Sequence, residues 1–387
     1  MIFRNYNDIM LNHSKPWMIY GPNGYTGRLI AGRATMEGHK PILAGRDACK
    51  IEAISKELDC PLRIFSLSSA EAVAKQLAGL SAVLHCAGPF SRTAPPMIEA
   101  CLLAGVNYLD ITGELDVIEF AASQHDRAVD AGISILPAVG FDVVPTDCLA
   151  AQLAEALPTA SELELAFRTG SGVGPGTAKA IFATSGDGGR VRKDSQIARV
   201  PTAWQSMKIQ FSTCTRHVVT VPWGDVSSAF YTTGIPNIRV YASTTTRQIS
   251  LMRYGRWLLP LSKFAPIQWL VRRLIERHVK GPNESKRASG IAEVWGRATD
   301  HDGRTAEATL VTPDGYSLTA RTAVEIMSRT LAGEAELGFT TPAKSFGGKF
   351  IEEFDGVRLE WRTLPSEVGT NRHNCEGDLR PTSMDRK

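Results

Sequence analysis

The sequence predicts an α/β protein in two parts, a doubly wound parallel sheet followed by a second α/β domain whose sheet is largely antiparallel. Three observations carry that expectation. Short apolar runs alternate with stretches of helical periodicity from residue 17 to about residue 153. Three glycines, Gly21, Gly24 and Gly27, stand where the first apolar run gives way to the first helical stretch. Past Pro158 the alternation gives way to strand-like segments with one wet face, punctuated by turn residues.

The first strand is the apolar run 17–20, and the glycines follow it in G-P-N-G-Y-T-G, residues 21–27. Leu29, Ile30 and Ala34 then recur at helical spacing. A strand–glycine–helix order of this kind suits a dinucleotide. One glycine allows the tight turn, one lets a pyrophosphate approach the backbone, and one lets helix and strand pack closely. The helix amino end adds free N–H groups and a partial positive charge. Gly21, Asn23, Gly24, Tyr25, Thr26 and Gly27 therefore form the expected cofactor turn. The second strand, 41–44, closes on Gly45 and Arg46, at the place where an NAD-binding unit carries an acidic residue for the ribose. A guanidinium there pairs with a phosphate, so the cofactor reads as NADP(H), with Arg46 on the 2′-phosphate.

Further along, helix 48–58, strand 61–65, helix 70–77 and strand 82–87 continue the alternation. The fourth strand ends on Ala87, Gly88, Pro89 and Phe90, which should lie against the nicotinamide half, because ligands of such sheets sit beyond the carboxyl ends of the strands. A helix over 95–105, a strand over 108–111 and the loop Thr112-Gly113-Glu114 follow, then a helix over 115–131 and a strand over 133–139. That last strand leads into G-F-D-V-V-P-T-D, residues 140–147, and a helix through residue 153. The outgoing loops place Gly113 beside the cofactor and offer Glu114 and Asp142 as catalytic proton carriers. Each acid also suits a helix cap, Glu114 for the helix from residue 115 and Asp142 for the one after Pro145, and capping is the more ordinary role. Loop N–H groups at Gly113 or Gly140 could face a developing oxyanion.

In the second part, strands are expected over 162–167, 207–211, 217–221, 238–242, 291–298 and 305–311, with a D-G turn at Asp302 and Gly303 and a helix over 318–331. The loop G-S-G-V-G-P-G, residues 170–176, reads as flexible turns and not as a phosphate loop, since no Lys-Ser or Lys-Thr follows it. Residues 251–280 mix Trp257, Phe264 and Trp269 with leucines and seven bases, and Pro260 and Pro266 break the run. Two core helices with basic faces would explain it, as would a helix lying in a membrane surface or a lid over a lipid-like substrate. The expected division is a loose extension over 1–15, the cofactor domain over 16–157 and a cover domain over 158–345. Residues 346–387 would return toward the first domain and end in a solvated tail.

The totals narrow the function. A formal charge of +3 over 387 residues gives no nucleic-acid signature. Seven cysteines form no C-x-x-C pair and eight histidines no H-E-x-x-H, so no metal and no disulfide framework is expected. The polar amino end carries no secretory pattern, and the expected location is cytoplasmic or at the inner face of a membrane. None of the eight tyrosines has a lysine four residues on, which removes the short-chain dehydrogenase arrangement.

Taken together, Y-G-P-N-G-Y-T-G (20–27), L-A-G-R (43–46), A-G-P-F (87–90), A-G-V-N-Y-L-D-I-T-G-E (104–114) and G-F-D-V-V-P-T-D (140–147) resemble the saccharopine dehydrogenase-like oxidoreductases, which include the mycobacterial trans-acting enoyl reductases. Residues 338–343, G-F-T-T-P-A, are similar to the family's closing segment. The resemblance implies an NADP-binding Rossmann domain joined to a mixed α/β domain that the chain leaves and re-enters. It implies hydride transfer to or from a small molecule, either an apolar acyl or enoyl group or a carbon–nitrogen bond of an amino acid. A non-catalytic NADP-binding partner of a lipid synthase at a membrane is the reading from a different class. Oligomeric state is not legible.

Overall fold

In the computed structural model, β1 (Trp17–Tyr20) is buried along its whole length and lies at the centre of a parallel sheet. The structure describes residues 15–170, 172, 174–184, 188–255, 264–279 and 281–364. The expected loose extension, apart from Lys15, and the solvated tail from residue 365 lie outside the described residues, as do residues 256–263 of the tryptophan-rich basic stretch.

The first domain alternates strand and helix as the apolar pattern requires. Its elements are β1, α1 (Tyr25–Met36), β2 (Ile42–Gly45), α2 (Ala48–Leu58), β3 (Leu62–Ile64), α3 (Ala70–Leu77), β4 (Ala82–His85), α4 (Phe90–Ala104), β5 (Asn107–Asp110), α5 (Leu115–Ala122), α6 (His125–Asp130), β6 (Ser134–Leu136) and α7 (Val144–Ala156). The strands run in the order β3-β2-β1-β4-β5-β6, all parallel, which is the doubly wound arrangement with its switch point between β1 and β4. α1 buries Gly27, Ile30, Ala31 and Ala34, one stripe at helical spacing, against the sheet.

Two helices differ from the sequence expectation. α4 starts at Phe90, five residues ahead of the predicted 95, and carries Pro95 and Pro96 within it. Proline normally stops a helix, but here a carboxylate 24 positions downstream supplies the amino-terminal cap, so the helix can begin before the proline pair. The single helix expected over 115–131 is two, α5 and α6, broken at Ser123–Gln124. After the break the His125 ring stands over a later strand and its Nδ1 accepts the Phe339 N–H at 3.1 Å.

The second domain is built on a mixed sheet in the order β10-β11-β12-β7-β13-β14-β16. Its strands are β7 (Ala160–Thr169), β8 (Gly189–Lys193), β9 (Gln196–Val200), β10 (Ser206–Gln210), β11 (Thr215–Thr220), β12 (Asn237–Ser243), β13 (Ile291–Asp300), β14 (Thr305–Pro313) and β16 (Arg358–Thr363). Only β12 with β7 is parallel along the main path, so the expected antiparallel character holds. The β8–β9 hairpin, attached to β12, was not legible in the sequence. The helices are α8 (Pro175–Thr184), α9 (Asp225–Thr233), α10 (Thr246–Gly255), α11 (Ala265–His278), α12 (Glu284–Ser289), α13 (Gly315–Ala332) and α14 (Pro342–Phe346).

The chain re-enters the first sheet earlier than expected. β15 (Gly338–Phe339) pairs in parallel with β6 and becomes the outer strand of the first sheet. Residues past 346 do not stay there: β16 pairs antiparallel with β14 in the second sheet. One apolar core runs through both domains, from Ile30 of α1 through Leu149 of α7 to Val294 of β13 and Leu318 of α13.

Candidate active site

The glycine bend is shaped by close backbone approaches. Gly21 has φ +90°, its N–H donates to the Ala44 carbonyl at 2.7 Å, and a Cβ there would stand 2.8 Å from that of Ala87. A Cβ on Gly27 would run into the Gly21 carbonyl oxygen, which is backbone and cannot yield. Gly24 precedes α1, and the first intrahelical bond is from Arg28 N to Gly24 O at 2.9 Å. The N–H groups of Tyr25, Thr26 and Gly27 therefore have no acceptor within the helix, and no acidic side chain sits in that turn. Arg46, just after β2, is exposed; its charge reaches the neighbouring Asp47 carboxylate, but Asp47 is ion-paired with Lys50. A nucleotide with an extra phosphate fits this arrangement: free N–H groups, a helix amino end and an exposed guanidinium lie along the ends of β1 and β2.

The second domain is fastened to this turn through Tyr25. Its hydroxyl donates to the Pro282 carbonyl at 2.5 Å, Arg287 donates to the same hydroxyl at 3.1 Å, and the Tyr316 ring stands edge-on at 5.0 Å. Tyr316 in turn accepts the N–H of Gly174, one residue of the expected turn over 170–176, and so holds that glycine against the ring that faces Tyr25. Asn23 remains exposed, and Gly24 and Thr26 remain half-exposed beside the clasp.

At the end of β4, Ala87, Gly88, Pro89 and Phe90 lie half-buried to exposed. Phe90 packs edge-on against His85 at 5.5 Å, which is enclosed by Tyr20 and Tyr108 as well. Burial pushes the His85 imidazole down to about 3, so it is neutral and serves here as an apolar wall.

The two candidate acids are separated by the structure. Both Glu114 oxygens are engaged: Oε1 accepts the Phe90 N–H and Oε2 the Ser91 N–H, each at 2.9 Å. Glu114 makes no side-chain cap on α5, the helix it precedes. Its carboxylate instead caps α4 and holds Phe90 in place. Asp142 caps nothing, since α7 starts after Val143 with no side-chain cap. Its carboxyl takes no hydrogen bond among the described residues, it is half-buried, and burial pushes it up to about 6. Asp142 faces Gly113, where a Cβ would stand 3.1 Å from Oδ2. Gly113 is half-exposed, and its N–H takes no acceptor among the described residues. Gly140, the other expected N–H donor, is buried behind Thr319, whose hydroxyl accepts the neighbouring Phe141 N–H at 2.9 Å. It is walled off from the loop edge.

Residues that the sequence did not point to stand beside these loops. Trp223 Nε1 donates to the Asp142 carbonyl at 3.0 Å, and its ring packs on Phe167 at 5.2 Å. Trp223 also bridges to Glu114, so the second domain meets the first along the two loops that carry both acids. Asp142 contributes to the raised pKa values of Tyr316 and Asp225, which puts both within electrostatic reach of it. No cation among the described residues draws the Asp142 value back down. Tyr108 and Asp110 form a structural net: Asp110 accepts the Tyr108 hydroxyl at 2.7 Å, Thr112 N at 2.9 Å and Ala138 N at 2.8 Å. Asp147 is likewise taken by Thr232 and by Ala343 N.

Residues 17–136 match the family described as saccharopine dehydrogenase NADP binding domain. Trans-acting enoyl reductase of Mycobacterium tuberculosis is 32% identical over 144 residues, which are 35% of this chain and 34% of that protein. The same-named protein of Mycobacterium ulcerans is 31% identical over 140 residues, covering 34% of this chain and 33% of its own length. The chain thus matches about a third of the length of these relatives. Apo saccharopine dehydrogenase (L-Glu forming) from Saccharomyces cerevisiae aligns over 90% of this chain and 100% of its own, with a TM-score of 0.62 at 11% identity, a likeness of fold.

Proposed function

From the membership of residues 17–136 in the saccharopine dehydrogenase NADP binding domain family, we propose that the chain is an NADP(H)-dependent oxidoreductase acting on an apolar acyl or enoyl group. Asp142 carries the reading. It is the acid at the loop edge whose carboxyl is unengaged and sits near 6, so it holds a proton at mildly acidic pH and can release it near neutrality.

NADPH, when bound, supplies the hydride. The free first N–H groups of α1, at the bend that Gly21 and Gly24 shape, would hold the pyrophosphate, and Arg46 would take the 2′-phosphate. Phe90, held by Glu114, forms the wall on the nicotinamide side. The Gly113 N–H receives the negative charge that develops on a thioester carbonyl. Asp142, beside Gly113, delivers the proton to the carbon next to that carbonyl, which completes saturation of the double bond. Phe167, Trp223 and Tyr316 supply apolar surface around this acid.

The experiment is NADPH consumption by the purified chain with a panel of enoyl thioesters, ketones and imines. Enoyl thioesters should be reduced, and Asp142→Asn should lower kcat by roughly 10²–10⁴-fold without loosening NADPH, the range for a positioned general acid. Tight NADPH binding with no turnover across the panel would remove the enzyme reading, and preferential turnover of imines would replace the substrate class.

A further inference from the structure

We propose that α11 forms a docking face for an anionic lipid surface. An amphipathic helix of a soluble domain normally turns its apolar stripe inward. α11 does the opposite: Ile267, Leu270 and Leu274, at i, i+3 and i+7, all face solvent, with Leu270 50% and Leu274 48% exposed. Trp269 is 60% exposed on the adjoining side of the same helix, and α10 separately exposes Leu251 and Tyr254. The less exposed side of α11 carries Gln268, Val271 and Ile275, and the helix packs on α8.

Charge identifies the occupant. Arg273 and Arg277 are exposed one turn apart beside the apolar stripe, and Arg273 lies 5.2 Å from the Trp269 ring centroid. Exposed leucine and tryptophan flanked by arginine is the composition of a helix that lies in the headgroup region, its apolar side chains dipping into the acyl boundary and its guanidinium groups on lipid phosphates. No helix among the described residues is long and apolar enough to cross a membrane, so the contact is one of surface. α8, on which α11 rests, begins next to Gly174, whose N–H is held by Tyr316 against the cofactor turn.

Co-sedimentation of the full chain with phosphatidylcholine vesicles, with and without phosphatidylglycerol, tests this without any measurement of turnover. The chain should bind the phosphatidylglycerol vesicles, and less so as salt rises. Arg273→Gln with Arg277→Gln should weaken that binding roughly thirtyfold, since each base near a charged bilayer contributes about 1 kcal/mol. Leu270→Glu with Leu274→Glu should abolish it, with circular dichroism and NADPH affinity unchanged as proof of folding. No binding by the parent chain, or equal binding by both double variants, overturns the proposal. A concentration-dependent dimer that the leucine variants dissolve, with no vesicle binding, would assign the face to a second copy instead.

Discussion

At Arg46 the proposed choice between the two nucleotides rests on the chemistry of one side chain. The sequence pointed to it because a base stands where a carboxylate is usual, and the structure leaves it exposed, with the neighbouring Asp47 ion-paired to Lys50. Arg46→Ala should raise the Kd for NADPH by about 10–100-fold, the worth of charge-assisted hydrogen bonds, and change that for NADH little. Equal losses for the two nucleotides, measured by fluorescence titration, would move the 2′-phosphate elsewhere. Asp142 carries a pH signature as well. Its folded value of about 6 exceeds the ordinary aspartate value of about 4, so its contribution to stability is present below about pH 4 and lost as pH rises through 6. Asp142→Asn should therefore melt higher than the parent chain at pH 8 and alike at pH 4. Asp110, also pushed up to about 6, would behave differently, because replacing it strands three donors at every pH. The sequence offered Glu114 and Asp142 on equal terms. Only the backbone N–H groups of Phe90 and Ser91, 24 and 23 positions from Glu114, separated them.

α4 shows how an element boundary can be set from outside the element. Pro95 and Pro96 argue locally for a helix that starts there, and the structure begins it at Phe90 because Glu114 accepts the two leading N–H groups. Glu114→Ala should cost about 0.5–2 kcal/mol, the usual worth of an amino-terminal cap, and should weaken NADPH binding as Phe90 loses its support. A thermal melt and a titration of the same variant check both; an unchanged melt would mean that the cap is idle. The glycine bend is the contrary case. There the local pattern sufficed for Gly27, which the Gly21 carbonyl inside the same short turn requires, while Gly21 is required by its φ of +90° and also by Ala87 at the end of β4. The hold on Gly174 was not legible, since it depends on Tyr316, far away in sequence, whose ring meets Tyr25.

For the whole molecule, the returning segment binds the two domains into one folding unit. β15 extends the first sheet, Asp147 accepts the Ala343 N–H at 2.8 Å, and α13 packs against α1 and β4. Within the shared core, Ile30, Leu318, Ala323 and Met327 are all almost fully buried, and each large apolar side chain exposed again would cost about 1.5–3 kcal/mol. Residues 15–158 expressed alone should accordingly be loosely packed and quickly cut by protease, while 15–364 resists. Cooperative melting of the short fragment would show that the first domain stands by itself. The break between α5 and α6 belongs to this scale too, for it presents His125 to Phe339.

The order of strands and helices in the first domain, its glycine bend and the base at its second strand followed from the sequence alone, because each rests on neighbours within a few positions: apolar periodicity, steric limits at glycine and charge type. The parting of the two acids, the early start of α4, the clasp on Tyr25 and the point of return at residue 338 came from tertiary structure alone. Each is settled by which distant donor, ring or strand happens to lie within a few ångströms, and separation along the chain carries no record of that distance.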